Sequence, residues 1–199
     1  MTPRRDPLPT HVPRTVAVVL AAGEGRRFGG PKQLAPLHDR PLLRHALDAV
    51  LGCDAVDAVV VVLGARHEEV RAGVDLTGVR VVINDAWASG PTGSLRAGVR
   101  AARDDGAGTI VVTLGDQPLL RSADVARVLA VPADAARAVH DGRPGHPVVV
   151  RGALVTPFVD ATGDDERRAL LRAVAVPVEV DGGPDVDTPA DLDRVRAVG

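Results

Sequence analysis

The chain has 199 residues, 45% hydrophobic and 25% charged, which suits one globular domain with a sizeable core. A net charge of −2 leaves no surplus of basic groups to displace counterions, which argues against a nucleic-acid partner. No apolar run approaches the roughly eighteen residues of a membrane span, and the single Cys53 excludes a disulfide framework and a cysteine-based zinc site. A cytoplasmic setting is expected.

Residues 1–14, rich in proline and arginine and without an apolar run, predict a disordered tail ahead of one domain over 15–199. Valine-rich runs then recur at 16–20, 58–63, 80–83, 109–114, 147–151 and 176–180, as strands buried on both faces of a sheet do. Between them lie apolar stripes at helical spacing. Leu42, Leu43, Ala46, Leu47 and Val50 share one face, Leu95, Val99 and Ala102 another, and Val125, Val128 and Leu129 a third. The alternation predicts a single three-layer, Rossmann-like α/β domain with a mostly parallel sheet. The glycines and prolines of 132–147 predict a long loop.

The rare residue types concentrate at 23–36, 83–94 and 115–118: Lys32, Asn84 and Trp87 are each the only one of their kind. Leu20, Ala21 and Ala22 lead from the first strand into Gly23-Glu24-Gly25-Arg26-Arg27-Phe28-Gly29-Gly30-Pro31-Lys32. Such a loop can turn its backbone N–H groups towards an anion, with Arg26, Arg27 and Lys32 adding charge for a polyphosphate. It is neither a dinucleotide fingerprint, since its third glycine comes one position late and prolines interrupt any helix, nor a Walker loop, since Gln33 follows the lysine. A glycine-rich surface loop with ordinary arginines is the plain alternative.

Asp116 follows the 109–114 strand, at the sheet edge where α/β folds place ligands, and a carboxylate there suits Mg²⁺ carried on a triphosphate. A turn in which the aspartate bonds its own backbone is the plain alternative. Near the end, Thr188-Pro189-Ala190-Asp191 reads as an N-cap, a first-turn proline and a capping box, which leaves Asp187 over. Asp185 is expected to be solvated or turn-forming. Ser94 reads as the cap of a helix over 95–103, and Asn84 and Trp87 as the end of a strand covering an apolar edge. His146, between Gly145 and Pro147, reads as a loop histidine.

Five segments in order, Leu20–Pro36, Asn84–Gly98, Gly115–Pro118, Gly142–Pro147 and Asp185–Pro189, resemble the MobA-like nucleotidyltransferases, and more narrowly their molybdenum cofactor cytidylyltransferase branch. The resemblance implies transfer of CMP from CTP to a phosphorylated acceptor, of the molybdopterin type, with release of pyrophosphate. A sugar phosphate or phospholactate acceptor, or a nucleotide-binding protein without turnover, stays open; an NAD-type oxidoreductase is disfavoured by the proline-broken loop. It implies Arg26, Lys32 and Asp116 as catalytic residues and Leu20, Ala21, Ala22, Gly23, Gly25, Asn84 and Ser94 with them around the nucleotide. Mg²⁺ would sit on Asp116 and Asp187, and Gly145 and His146 would face the acceptor. A transient contact with a molybdoenzyme or its chaperone also follows. Two departures stand out: Glu24 beside the phosphates is expected to point away, and Gly163–Arg168 matches the relatives' pattern only at its ends.

Overall fold

A computed structural model describes residues 13–183 and 185–197. In chain order the elements are β1 (Arg14–Ala21), β2 (Pro36–Leu37), β3 (Arg40–Pro41), α1 (Leu42–Leu51), β4 (Ala58–Leu63), α2 (His67–Gly73) and β5 (Arg80–Ile83). They continue with α3 (Pro91–Asp104), β6 (Ala107–Leu114), α4 (Ser122–Leu129), β7 (Ala135–His140), β8 (Arg143–Arg151), α5 (Val155–Asp160), α6 (Asp164–Val174), β9 (Val176–Glu179) and α7 (Pro189–Arg196).

Seven strands form one sheet in the order β5-β4-β1-β6-β8-β7-β9. Only β8 runs against the rest: β5, β4, β1 and β6 are mutually parallel, β8 pairs antiparallel with β6 and β7, and β9 is parallel to β7. The period-two alternation of strands sends successive residues to opposite cores. Ala17, Val19 and Ala21 of β1 join Leu43 and Leu47 of α1 and Val125 and Val128 of α4. Val16 and Val18 join Leu95 and Val99 of α3 and Phe158 and Leu171 beyond. The three-layer reading stands.

A third, smaller core ties Leu37 and Leu42 to Val186, Leu192 and Val195. It fastens α7 and the strap of residues 185–188 beside the sheet edge where β1 and β6 end.

The expected loop at 132–147 is instead the β7–β8 hairpin. Asp141 and Gly142, both with positive φ (49° and 73°), make the two-residue turn that matches strand twist. Pro144 and Pro147 survive in β8 because β6 pairs only with 148–151, so the strand's first half lacks that neighbour's ladder. The tail boundary also moves. Residues 1–12 lie outside the described residues, but Arg14 opens β1, its N–H donating to Gly106 O (3.2 Å) and its guanidinium to Asp57 O (2.9 Å).

Candidate active site at the carboxyl edge of the sheet

The glycine loop leaves β1 and closes on one atom: Gly25 O accepts from the N–H groups of Phe28, Gly29 and Gly30 (3.0, 3.0 and 3.3 Å). Gly25 has φ +72°, and a Cβ there would collide with Gly30 O, so glycine is required. The buried Gln33 amide donates to Ala21 O (2.8 Å) and Gly23 O (2.9 Å), which holds the two ends of the loop together. Among the described residues, the N–H groups of Gly23, Glu24, Gly25 and Arg26 donate to no acceptor. Four such donors in sequence can cradle an anion. Glu24 does not point away; its carboxylate accepts from Arg26 Nε (2.6 Å), both side chains being exposed.

Lys32, in the short turn after the loop, reaches the end of β6. Its ammonium lies 2.5 Å from Asp116 Oδ2 and 2.9 Å from Asp187 Oδ1. Burial works against its charge, but Asp116 and Asp187 outweigh this and hold it above the usual lysine value. Arg27 also reaches Asp187, at 2.9 Å. The strap is pinned here because Val186 N–H donates to Asp116 O (2.8 Å), while Asp191 Oδ2 accepts from the Asp187 and Thr188 N–H groups (3.1 and 2.7 Å). The capping box of α7 is present as the sequence predicts, and Asp187 is left over beside Asp116.

Asp185, expected to be merely solvated or turn-forming, comes close enough to feel both. Desolvation, then the fields of Asp116 and Asp187, push its carboxyl up to about 6, against Lys32 and a hydrogen bond with Gln117. Asp116 Oδ1 is buried without a hydrogen-bond partner among the described residues. An orphaned carboxylate oxygen beside a second carboxylate fits a divalent cation, which would take its other ligands from phosphate and water. Among the described residues no cluster of three protein ligands forms.

Two clefts open from this edge. The smaller, about 460 Å³, is lined by Leu20, Ala22, Gly23, Gly25, Arg26 and Ser94, with Trp87. Ala22 is buried, and a Cβ at Gly64 would lie 2.9 Å from its methyl, so β1 and β4 close tightly here. Ala21 is buried in the core beneath. Ser94 is not the cap: α3 starts at Pro91, whose fixed φ suits the first helical position, and Ser94 Oγ accepts from Asn84 Nδ2 (2.9 Å). Asn84 is thus a buried bracket behind the cleft.

The larger cleft, about 1030 Å³, carries Gly145 and His146, together with Gln117 and Asp185. His146 stands in β8, not in a loop. Burial first, then Arg137 and His140, lower its imidazole to about 4, so it is neutral near pH 7. The 163–168 segment opens α6 and lines this cleft through Asp164 and Arg167, which pair at 2.7 Å. Arg137 is the site-edge residue the sequence pattern did not name, and Gln33 and Asp185 are named there without a part in the site.

A glycine loop, a lysine between two aspartates and paired clefts at a parallel sheet's carboxyl edge define a nucleotidyltransferase fold. The chain belongs to the MobA-like NTP transferase domain family, whose model matches residues 17–178. It is 36% identical to nicotine blue oxidoreductase of Paenarthrobacter nicotinovorans, over 94% of this chain and 96% of that protein. It is 33% identical to the molybdenum cofactor guanylyltransferase of Rhodobacter capsulatus, over 92% and 95%. A homologue of Mycobacterium tuberculosis Rv0371c from Mycobacterium sp. strain JC1 superposes with a TM-score of 0.81 at 34% identity, covering 93% of this chain and 96% of the other. Rv0371c itself, solved in complex with manganese, gives 0.74 at 27% identity over 94% and 100%. Among the described residues no helix is long and apolar enough to cross a membrane.

Proposed function

We propose that the chain transfers a nucleotidyl group from an NTP, CTP by preference, to a phosphorylated small-molecule acceptor and releases pyrophosphate. The observation that carries this reading is Lys32 held between Asp116 and Asp187 beside a loop with four N–H groups that meet no acceptor among the described residues. The favoured acceptor is the molybdopterin form of the molybdenum cofactor, which the likeness to a molybdenum cofactor guanylyltransferase supports.

An acceptor phosphate oxygen attacks the α-phosphorus, the bond from that phosphorus to the bridging oxygen breaks, and pyrophosphate leaves with the electron pair. The attacking phosphate is already ionised, so no protein base is needed. The chain's part is alignment and charge neutralisation. The Gly23–Arg26 N–H groups and the Lys32 ammonium hold the β- and γ-phosphates, with Arg26 at the mouth. Leu20 and Ala22 border the base, Ala21 in the core beneath them supports the strand end rather than touching the nucleotide, Ser94 lies on the ribose side, and Asn84 positions Ser94. Asp116 and Asp187 would hold a divalent cation, Mg²⁺, which would supply positive charge to offset that of the leaving pyrophosphate. Neutral His146, with Gly145, orients the acceptor by a hydrogen bond rather than by charge.

Pyrophosphate release, measured with Mg²⁺, each NTP and purified acceptor, tests the reading. Metal-dependent, acceptor-dependent release is the expected result. Nucleotide binding without release would make the chain a carrier. Redox turnover of nicotine blue without release would instead align it with its relative named as nicotine blue oxidoreductase.

A further inference from the structure

The larger cleft has an arginine where the strand pattern calls for an apolar residue. On β7, Ala135 belongs to the α3 side of the sheet and Ala136 and Ala138 to the opposite core, so Arg137 faces the α3 side. Its neighbour across the ladder is Val148, whose own neighbour on β6 is Val112, and both are buried in that core. The floor of the cleft is therefore an apolar sheet face with the Arg137 guanidinium set into it, while Arg143, Arg167 and Arg168 also line the cleft.

That guanidinium has no counterpart. Among the described residues its Nε is buried without a hydrogen-bond partner, and it joins no ion pair. Of the cleft's four carboxylates, Asp164 is committed to Arg167 at 2.7 Å and Asp181 to Arg121 and Arg127 at 3.6 Å each, while Asp141 and Asp185 line the cleft without an ion pair to Arg137 among the described residues. What faces Arg137 is more positive charge. Burial, then Arg168 and Arg172 from α6, make its proton easier to lose than an ordinary arginine's. An unpaired, partly desolvated charge on an apolar face is costly, and a leucine there would cost nothing. Such a cost is met when an anion binds.

We infer that Arg137 is the anion-reading residue of the larger cleft and that the acceptor carries a second anionic group there, apart from the phosphate that attacks. The inference rests on the acceptor reading of this cleft. Two groups are needed because of distance. Arg137 stands two strands from β6, roughly 10 Å across the sheet, and level with Val112 rather than with Asp116 four residues further on. One phosphate cannot touch both ends. The acceptor is accordingly an elongated molecule with an anion at each end, and its middle lies along Val112 and Val148.

The test uses the full chain saturated with Mg²⁺ and CTP, so that the glycine loop is occupied, and titrates inorganic phosphate by calorimetry and by the ¹⁵N Nε–H resonance of Arg137. The resonance should shift saturably. R137L should weaken phosphate binding at least tenfold while melting at the same temperature or higher, and R137K, which keeps the charge but not the Nε donor, should fall between. Equal binding in R137L, or no phosphate binding to the CTP-loaded chain, overturns the inference. If CTP fails to bind but phosphate still needs Arg137, the anion subsite stands and the nucleotidyltransferase reading falls.

Discussion

Lys32 makes two ionic contacts at once, so its removal leaves Asp116 and Asp187 facing each other without the charge that offsets them. A charge-assisted contact of about 1.5–3 kcal/mol corresponds to roughly a 10- to 150-fold change. Lys32→Ala should lower turnover by that factor, and added Mg²⁺ should restore part of it. Wild-type kinetics in the variant would remove Lys32 from the phosphate site. His146 gives a pH signature of a different kind. Its folded-state value of about 4 lies below the ordinary 6.5, so between the two the unfolded chain binds more protons. The associated stability is complete above pH 6.5 and is lost as pH falls towards 4. His146→Gln should flatten this limb, as read by urea midpoints at pH 7 and pH 5; an unchanged slope would mean the imidazole is not desolvated. Ala22 bears on the base. Its methyl narrows the smaller cleft, and one buried methyl discriminates by about 1–3 kcal/mol. Ala22→Gly should therefore relax a preference for CTP over GTP without inverting it, measured as kcat/KM for each nucleotide; an unaltered ratio would move base selection to another residue.

Helix α3 rests on the sheet through Gly98. A methyl there would overlap Val18 Cγ1 and come within 2.7 Å of Val62 Cγ2, both in buried strands. Gly98→Ala gains about 1 kcal/mol of helix propensity and loses about 1–3 kcal/mol to overpacking. The expected result is a lower melting temperature together with weaker nucleotide binding, since lifting α3 also moves Ser94; a more stable variant would show that the helix shifts freely. The same element shows what the sequence makes legible. The apolar stripe of α3 was plain, but its start was not, because Ser94 as a cap and Pro91 as a first residue are both sound local choices. Only the Asn84 bracket decides between them. The strands buried on both faces announced themselves as valine runs, whereas β7 was hidden in a segment flanked by Pro132 and Gly142, and the first half of β8 by Pro144, Gly145 and Pro147. Those strand residues are tolerated because the first half of β8 lacks β6 as a neighbour, and pairing of that kind is a long-range fact. The Asp116–Asp187 meeting was likewise suggested by motif alone, since a backbone bond from Val186 to Asp116 makes it.

At the scale of the whole molecule, the two clefts share a ridge of Leu20, Pro91 and Leu114 at the end of the sheet. On the proposed reading the nucleotide lies on one side, the acceptor on the other, and the reacting phosphates meet where the ridge gives way to Asp116. Trp87, the one tryptophan in the chain, lines the nucleotide side only. Its emission should therefore change saturably with Mg²⁺ and CTP. A hundredfold excess over Kd should stabilise the fold by about 2.7 kcal/mol. For a chain of this length that raises the melting temperature by roughly 5–10 °C. Arg137 lies beyond the ridge and shares no partner with the nucleotide side. Distant sites of this kind combine additively to within about 0.5 kcal/mol, so Arg137→Leu should leave the CTP Kd unchanged to about twofold. A tenfold change would mean that the ridge transmits strain, and that the two clefts behave as one site filled together rather than as two filled independently.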